Sequence, residues 1–225
     1  MEKTEGFVFT EMEIQVLTSM MGKTRIYGFG QKSKIDGEEL KKNTYEAIYT
    51  LAQKKYIEYV NKSNKISCPN GALPLNFDSL CVKERIVKLF RNIIRGKQIL
   101  DITKWDNMEN SLMYIGEKNI PNITIVRPSI TNKDDLIVCG INKEDWYQYM
   151  QDEGYVPNNS LKGLLAGTRG INGQSKKTLT IRIVDFYQLK EIKVVNIYED
   201  LSIDINDGKK IVYSKNNLLK EIGMI

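Results

Sequence analysis

Thr178 to Ile205 reads TLTIRIVDFYQLKEIKVVNIYEDLSIDI. Three runs in it, TLTIRIVDFYQ, EIKVVNIYED and LSIDI, are rich in β-branched and aromatic residues and read as strands. KIVYS follows across the turn NDGK. Upstream, KQILDI, SLMYIG, NITIVRP and DLIVCG read the same way, separated by polar turns such as EKNIPN and TNKDD. Asn142 is placed to cap a helix, NKEDWYQYMQDEG, with Trp146, Tyr149 and Met150 on one face as packing aromatics and core. NNLLKEIGMI closes the chain as a short helix. Helices come first and strands follow, so the chain reads as one α+β domain over 1–225. Its sheet is expected to be central, mixed and mostly antiparallel, flanked by helical bundles. The sub-regions are 1–98, helical with a small hairpin; 99–157, strands plus a helix; and 158–225, a Gly-rich loop and then strands.

The N-terminal third is organised by helix caps. Thr10 is placed as an N-cap and Glu13 as its N3 partner, a capping box, with Phe9 and Ile14 as the staple. Ile14, Leu17 and Met21 recur at helical spacing, and Gly22 is expected to end the helix. Gly22-Lys23-Thr24 is therefore not the end of a P-loop, which needs glycine where Leu17 stands. Gly28-x-Gly30 lacks the strand–helix context of a dinucleotide fingerprint. A second cap is expected at Asp36, with Glu39 at N3 and Ile35 and Leu40 as staple. Its helix carries Leu40, Thr44, Ala47, Ile48, Leu51 and Ala52 on one face. Tyr56–Val60 and Lys65–Cys68 read as a hairpin, and a third helix is expected from about Asn76 to Ile94. A helix followed by a hairpin outlines a winged-helix-like unit.

Composition narrows the chemistry. The 225 residues include no histidine, which removes Ser-His-Asp and Cys-His catalysis. The three cysteines, Cys68, Cys81 and Cys139, are scattered and suit a reducing cytoplasm. The net charge of +5 is a mild basic excess. No run of about 18 apolar residues predicts a membrane span, and the acidic start is unlike a signal peptide. No catalytic, cofactor-binding or metal-ligating residue is expected, so a binding protein is favoured over an enzyme.

Two stretches are candidate partner contacts. Lys83–Lys97 carries six cations and one acid, and Lys88, Arg91 and Arg95 fall along one helical face. They could meet phosphate or an acidic protein, or simply be solvated opposite Ile86, Leu89 and Ile93. The segment 165–178 sets glycines beside Thr168, Arg169, Lys176 and Lys177, and could cradle an anion or serve as a mobile connection. Specific DNA reading by the helix at 36–55 is disfavoured, because Asp36, Glu38 and Glu39 would face the phosphates.

FTEMEIQVLTSMMG, ELKKNTYEAIYTLAQKKYIEYVNKSNKIS and LCVKERIVKLFRNIIRGK, followed by strands, together resemble the EspG family of cytoplasmic chaperones in type VII (ESX) secretion. KEIKVVNIYED and KKIVYS are similar to that family's later strands. The resemblance covers Phe7 to Met150 and, more faintly, Thr178 to Leu219. It implies a central sheet of quasi-twofold character flanked by helical bundles, and a helical secretion substrate as client. The alternative is a winged-helix-like nucleic-acid-binding regulator.

Overall fold

The computed structural model describes residues 6–29, 37–59, 80–117, 121–156, 175–206 and 208–225. Eleven strands and five α-helices lie within them. In chain order they are β1 (Phe7–Thr10), α1 (Glu11–Met20), α2 (Gly37–Gln53), β2 (Ile57–Tyr59), β3 (Leu80–Val82), α3 (Glu84–Arg95), β4 (Gln98–Lys104), β5 (Glu109–Ile115), β6 (Ile123–Pro128), β7 (Asp135–Ile141), α4 (Trp146–Asp152), β8 (Lys177–Asp185), β9 (Glu191–Tyr198), β10 (Ser202–Ile205), β11 (Lys209–Val212) and α5 (Lys215–Glu221). The fold is α+β. Nine strands form one sheet in the order β1-β7-β6-β5-β4-β8-β9-β10-β11, and every pairing in it is antiparallel.

The order contains two consecutive four-strand meanders, β4–β7 and β8–β11, joined along the β4/β8 pair. Each is followed by a helix, α4 or α5, and both helices pack on the same face, here called the back. The two halves are tied there by the hydroxyls of Tyr147 and Tyr213, 2.9 Å apart, and by Gln98, whose Nε2 donates to the Ile222 carbonyl at 2.8 Å. The back core holds Ile102, Met113, Ile125, Ile181, Val195 and Ile203 under Trp146, Met150, Leu218 and Ile222. Trp146 and Tyr149 are thus buried packing aromatics.

The opposite face, the front, carries α1, α2 and α3. Phe9, Ile14, Leu17, Ile48, Leu51, Ile86, Phe90 and Ile93 pack there against Ile99, Tyr114, Val126 and Val138. The local signals explain these helices. Thr10 Oγ1 accepts from the Glu13 amide, and Glu13 Oε2 accepts from the Thr10 amide at 2.8 Å. The α1 terminus is a Schellman turn: the Lys23 amide reaches the Thr18 carbonyl at 2.8 Å and the Gly22 amide the Ser19 carbonyl at 3.0 Å. Gly22 sits at φ +85°, which glycine adopts without strain.

Two boundaries differ from expectation. Asn142 makes no side-chain cap, and a single 3-10 turn, Lys143–Asp145, precedes α4, which begins only at Trp146. α3 begins at Glu84, because Leu80–Val82 extends as a strand and pairs antiparallel with β2. Apolar spacing upstream of Glu84 belongs to that strand, whose short run cannot be told from a helical turn by periodicity. The expected strand at Lys65–Cys68 and the cap at Asp36 with Ile35 lie outside the described residues. So do Arg169 and the four glycines 163, 167, 170 and 173.

Candidate functional site

Strand alternation divides the two faces residue by residue. Ile102, Ile181, Ile197 and Ile203 point into the back core, so their neighbours Thr103, Thr180, Asn196 and Asp204 point to the front. Registry places those neighbours directly opposite one another. Asn110 pairs with Thr103, Thr103 with Thr180, Thr180 with Asn196, Asn196 with Asp204, and Asp204 with Lys210. A polar row thus crosses six strands from β5 to β11. Its ends, Asn110 and Lys210, are exposed. Its middle is not: Thr103 is 7%, Thr180 2%, Asn196 1% and Asp204 7% exposed.

Buried polar groups must be bonded to be tolerated, and most of this row is. The exposed Trp105, at the end of β4, donates from Nε1 to Thr180 Oγ1 at 2.8 Å. Thr180 donates onward to Asn196 Oδ1 at 2.8 Å. Arg182, one step along β8, donates from Nη1 to Thr103 Oγ1 at 3.2 Å and lies 3.6 Å from Glu191. Opposite Arg182 stands Asp101, whose Oδ2 accepts from the Tyr27 hydroxyl at 2.9 Å. Burial, and then that Asp101 bond, push the Tyr27 phenol up to about 12. Tyr27 is aimed by its own carbonyl, which accepts from the Tyr114 hydroxyl at 2.7 Å. The next residue, Gly28, has φ +79°, and a Cβ there would lie 2.3 Å from Leu112 Cδ1. The glycine pair that imitates a nucleotide fingerprint is therefore, at Gly28, a close approach that seats Tyr27.

No residue of β9, β10 or β11 contributes to the front core. The front of the second meander carries the polar row instead, interleaved with Val194 opposite Arg182 and the exposed Val212 opposite Ser202, and bordered by Trp105, Tyr27 and the Arg182–Glu191 pair. Thr180 is engaged on both sides, and Arg182 is held by Thr103 and Glu191. Among the described residues, no three carboxylate or cysteine groups converge as a metal ligand set. The Cys139 thiol is buried, which raises it to about 11 and keeps it protonated.

The expected contact residues fall in different places. Lys88, Arg91 and Arg95 are exposed on α3, which packs over β5, β6 and β7. Lys88 pairs with Glu84 at 2.8 Å. Neighbouring cations on the same stretch are also engaged: Lys83 with Glu58, Lys97 with Glu117, and Arg85 over the rings of Phe7 and Tyr56. Lys177 opens β8, with its ammonium 5.7 Å from the Trp105 ring centre, at the border of the polar face. Lys176 is exposed, and its carbonyl accepts from the Glu199 amide. The α3 cations and Lys177 do not form one surface, since they sit on different meanders. Trp105, Arg182, Asn196 and Asp204 escaped notice as a group because only the register brings them into line.

Both edges of the nine-stranded sheet have backbone groups occupied by side chains. On β1, Lys54 Nζ donates to the Val8 carbonyl at 3.1 Å, and Glu13 accepts from the Thr10 amide. On β11, Asn217 Nδ2 donates to the Val212 carbonyl at 2.8 Å. Such caps discourage addition of a further strand. No described helix is long and apolar enough to cross a membrane. No protein-family model and no curated protein matches the chain.

Proposed function

We propose that the chain is a non-catalytic binding protein, a cytoplasmic chaperone or adaptor that seats a helical secretion substrate on the polar front of its second meander. The observation that carries this reading is the cross-strand row from Asn110 to Lys210, which no strand of β9–β11 ties into the helix-covered core. A polar face organised by its own hydrogen bonds is preorganised for recognition and loses little freedom on binding. The exposed Trp105 supplies an amphipathic anchor of the kind that dominates interfaces. Because groups on both sheet edges are capped, docking across the face is favoured over strand addition. The doubled meander supports the resemblance to the EspG family, whose implied fold is a quasi-twofold sheet with helical flanks. The client class in that comparison is a helical type VII substrate.

The test is a titration of the purified chain with small helical secreted proteins encoded beside it. Binding that Trp105→Ala weakens at least about tenfold, the loss of a modest interface anchor, supports the reading. Binding unchanged by Trp105→Ala and by Arg182→Ala would refute the assigned face.

The second reading, a nucleic-acid-binding regulator, rests on Arg91 and Arg95, which are exposed and make no ion pair with a described residue. Glu38 and Glu39 occupy the first turn of α2 and would repel phosphates. Under the chaperone reading, duplex DNA binds only weakly, on the order of 10⁻⁵ M at physiological salt.

A further inference from the structure

At the end of the sheet where β4 begins, three chain segments meet on one aromatic ring. Phe186, in the β8–β9 turn, is buried. The Lys23 ammonium, just past α1, lies 4.5 Å from its ring centre. Gly96, which ends α3, presses on the same ring: a Cβ there would come within 2.9 Å of it. Asp185 pairs with Gln98, which holds the turn beside the α3 terminus. Tyr187 meets Phe186 edge to face, with ring centres 5.4 Å apart, yet it is 79% exposed. The turn that displays it is fastened from within. Asp185 Oδ1 accepts from the amides of Tyr187 and Gln188, and the Asp185 amide donates to the Lys190 carbonyl at 2.9 Å.

Cations gather around this ring pair. Lys23, Arg95 and Lys190 make no ion pair with a described residue, and Arg95 and Lys190 are exposed. Lys97, on the other side of Gly96 from Arg95, pairs with Glu117. A tyrosine already fixed in an exposed position loses little freedom on binding, and tyrosine and arginine are the residues that most often anchor protein interfaces. We propose that this corner binds an acidic protein segment with an apolar side chain, which packs on Tyr187 while its carboxylates meet Lys23, Arg95 and Lys190. Glu117 and Glu191 interrupt the positive surface, and the exposed Ile192 follows the turn. That mixture suits a peptide, whose charges can be spaced, better than a nucleic-acid strand, whose phosphates follow one another without a break. The corner stands apart from the proposed docking face. Trp105 follows the far end of β4, about 23 Å away at roughly 3.3 Å per residue over its seven residues. An adaptor with both surfaces holds its client and an acidic partner at once.

The test titrates the full chain into a fluorescein-labelled random copolymer of glutamate and tyrosine and follows anisotropy. Binding should weaken at least about tenfold in Tyr187→Ala and in Arg95→Glu, fall as salt rises, and stay unchanged in Trp105→Ala. Polyglutamate should bind more weakly than the copolymer, and single-stranded oligothymidine more weakly still. Circular dichroism checks that each variant folds, and Lys190→Glu supplies a second charge reversal should Arg95→Glu fail to. Four results would overturn the proposal: no binding of the copolymer, binding indifferent to Tyr187→Ala and Arg95→Glu, binding no tighter than that of polyglutamate, or tighter binding of oligothymidine. Loss of copolymer binding in Trp105→Ala would move the site to the front face and overturn it too. The helical client is titrated separately, so the failure of one surface is distinguishable from the failure of the other.

Discussion

The front of the sheet is two surfaces. Over β1, β7, β6 and β5 it is apolar, and α1, α2 and α3 sit on it with Phe9, Leu17, Phe90 and Ile93. Over β8, β9 and β10 it is mixed, and the same pleat positions hold Thr180, Arg182, Asn196 and Asp204 together with Val184 and Val194. The back of both halves is equally apolar. Sheet geometry is shared, so the difference lies in what the front side chains recruit. Apolar front positions draw helices by burial. Polar ones bond across strands, Thr180 to Asn196 and Arg182 to Thr103, while Asp204 Oδ1 has no hydrogen-bond partner among the described residues.

This contrast is sharpest in the cost of truncation. Phe90, on α3, is fully buried against the sheet, and Phe90→Ala should destabilise the fold by about 3–5 kcal/mol, seen as a lowered denaturation midpoint. Asn196→Ala, in the polar row, should cost about 1–3 kcal/mol, because it leaves the buried Thr180 hydroxyl without its acceptor. A larger loss at Asn196 than at Phe90 would break the division between a packed half and a bonded half.

Glu13→Gln separates charge from capping in the packed half. Glu13 is 1% exposed; it accepts from the Thr10 amide and pairs with Lys54 at 2.8 Å. The amide retains the backbone bond, and Lys54 keeps part of its hydration, so the loss should be about 1 kcal/mol. Thermal unfolding of the variant checks this.

The smallest expected effect belongs to the polar half at high pH. Tyr27 is held protonated up to about 12, first by burial and then by Asp101. Its folded value exceeds that of an unfolded tyrosine, near 10. Its contribution is therefore complete below about pH 10 and is lost as pH rises toward 12. Absorbance titration should show a group of buried tyrosines ionising late, Tyr27 among them with Tyr114, Tyr149, Tyr155 and Tyr213, and Asp101→Asn should move the Tyr27 part of that ionisation to lower pH.

Much of this was legible in the sequence. The Thr10–Glu13 box, the Gly22 terminus and the eight strands from Lys97 onward are local signals, and each formed where its chemistry placed it. The start of α3 was not legible, because the partner of Leu80–Val82 is β2, and pairing between strands is absent from local periodicity. The basic ridge was legible as Lys88, Arg91 and Arg95, but not that Lys88 would pair with Glu84. The polar row left a trace: TLTIRIV, VVNIY and SIDI each alternate apolar with polar residues, the pattern of a sheet with one uncovered face. What the trace lacks is register. Only the antiparallel pairing lines Thr103, Thr180, Asn196 and Asp204 up on one level.

The division of the front face leads to one decisive measurement. Wild type, Trp105→Ala and Arg91→Glu are each titrated with the neighbouring helical protein and with duplex DNA, at low and moderate salt. The account predicts client binding with modest salt dependence, weakened by Trp105→Ala and unaffected by Arg91→Glu, with DNA bound only weakly. Tight, sequence-selective DNA binding abolished by Arg91→Glu and indifferent to Trp105→Ala would place function on α3 and contradict it.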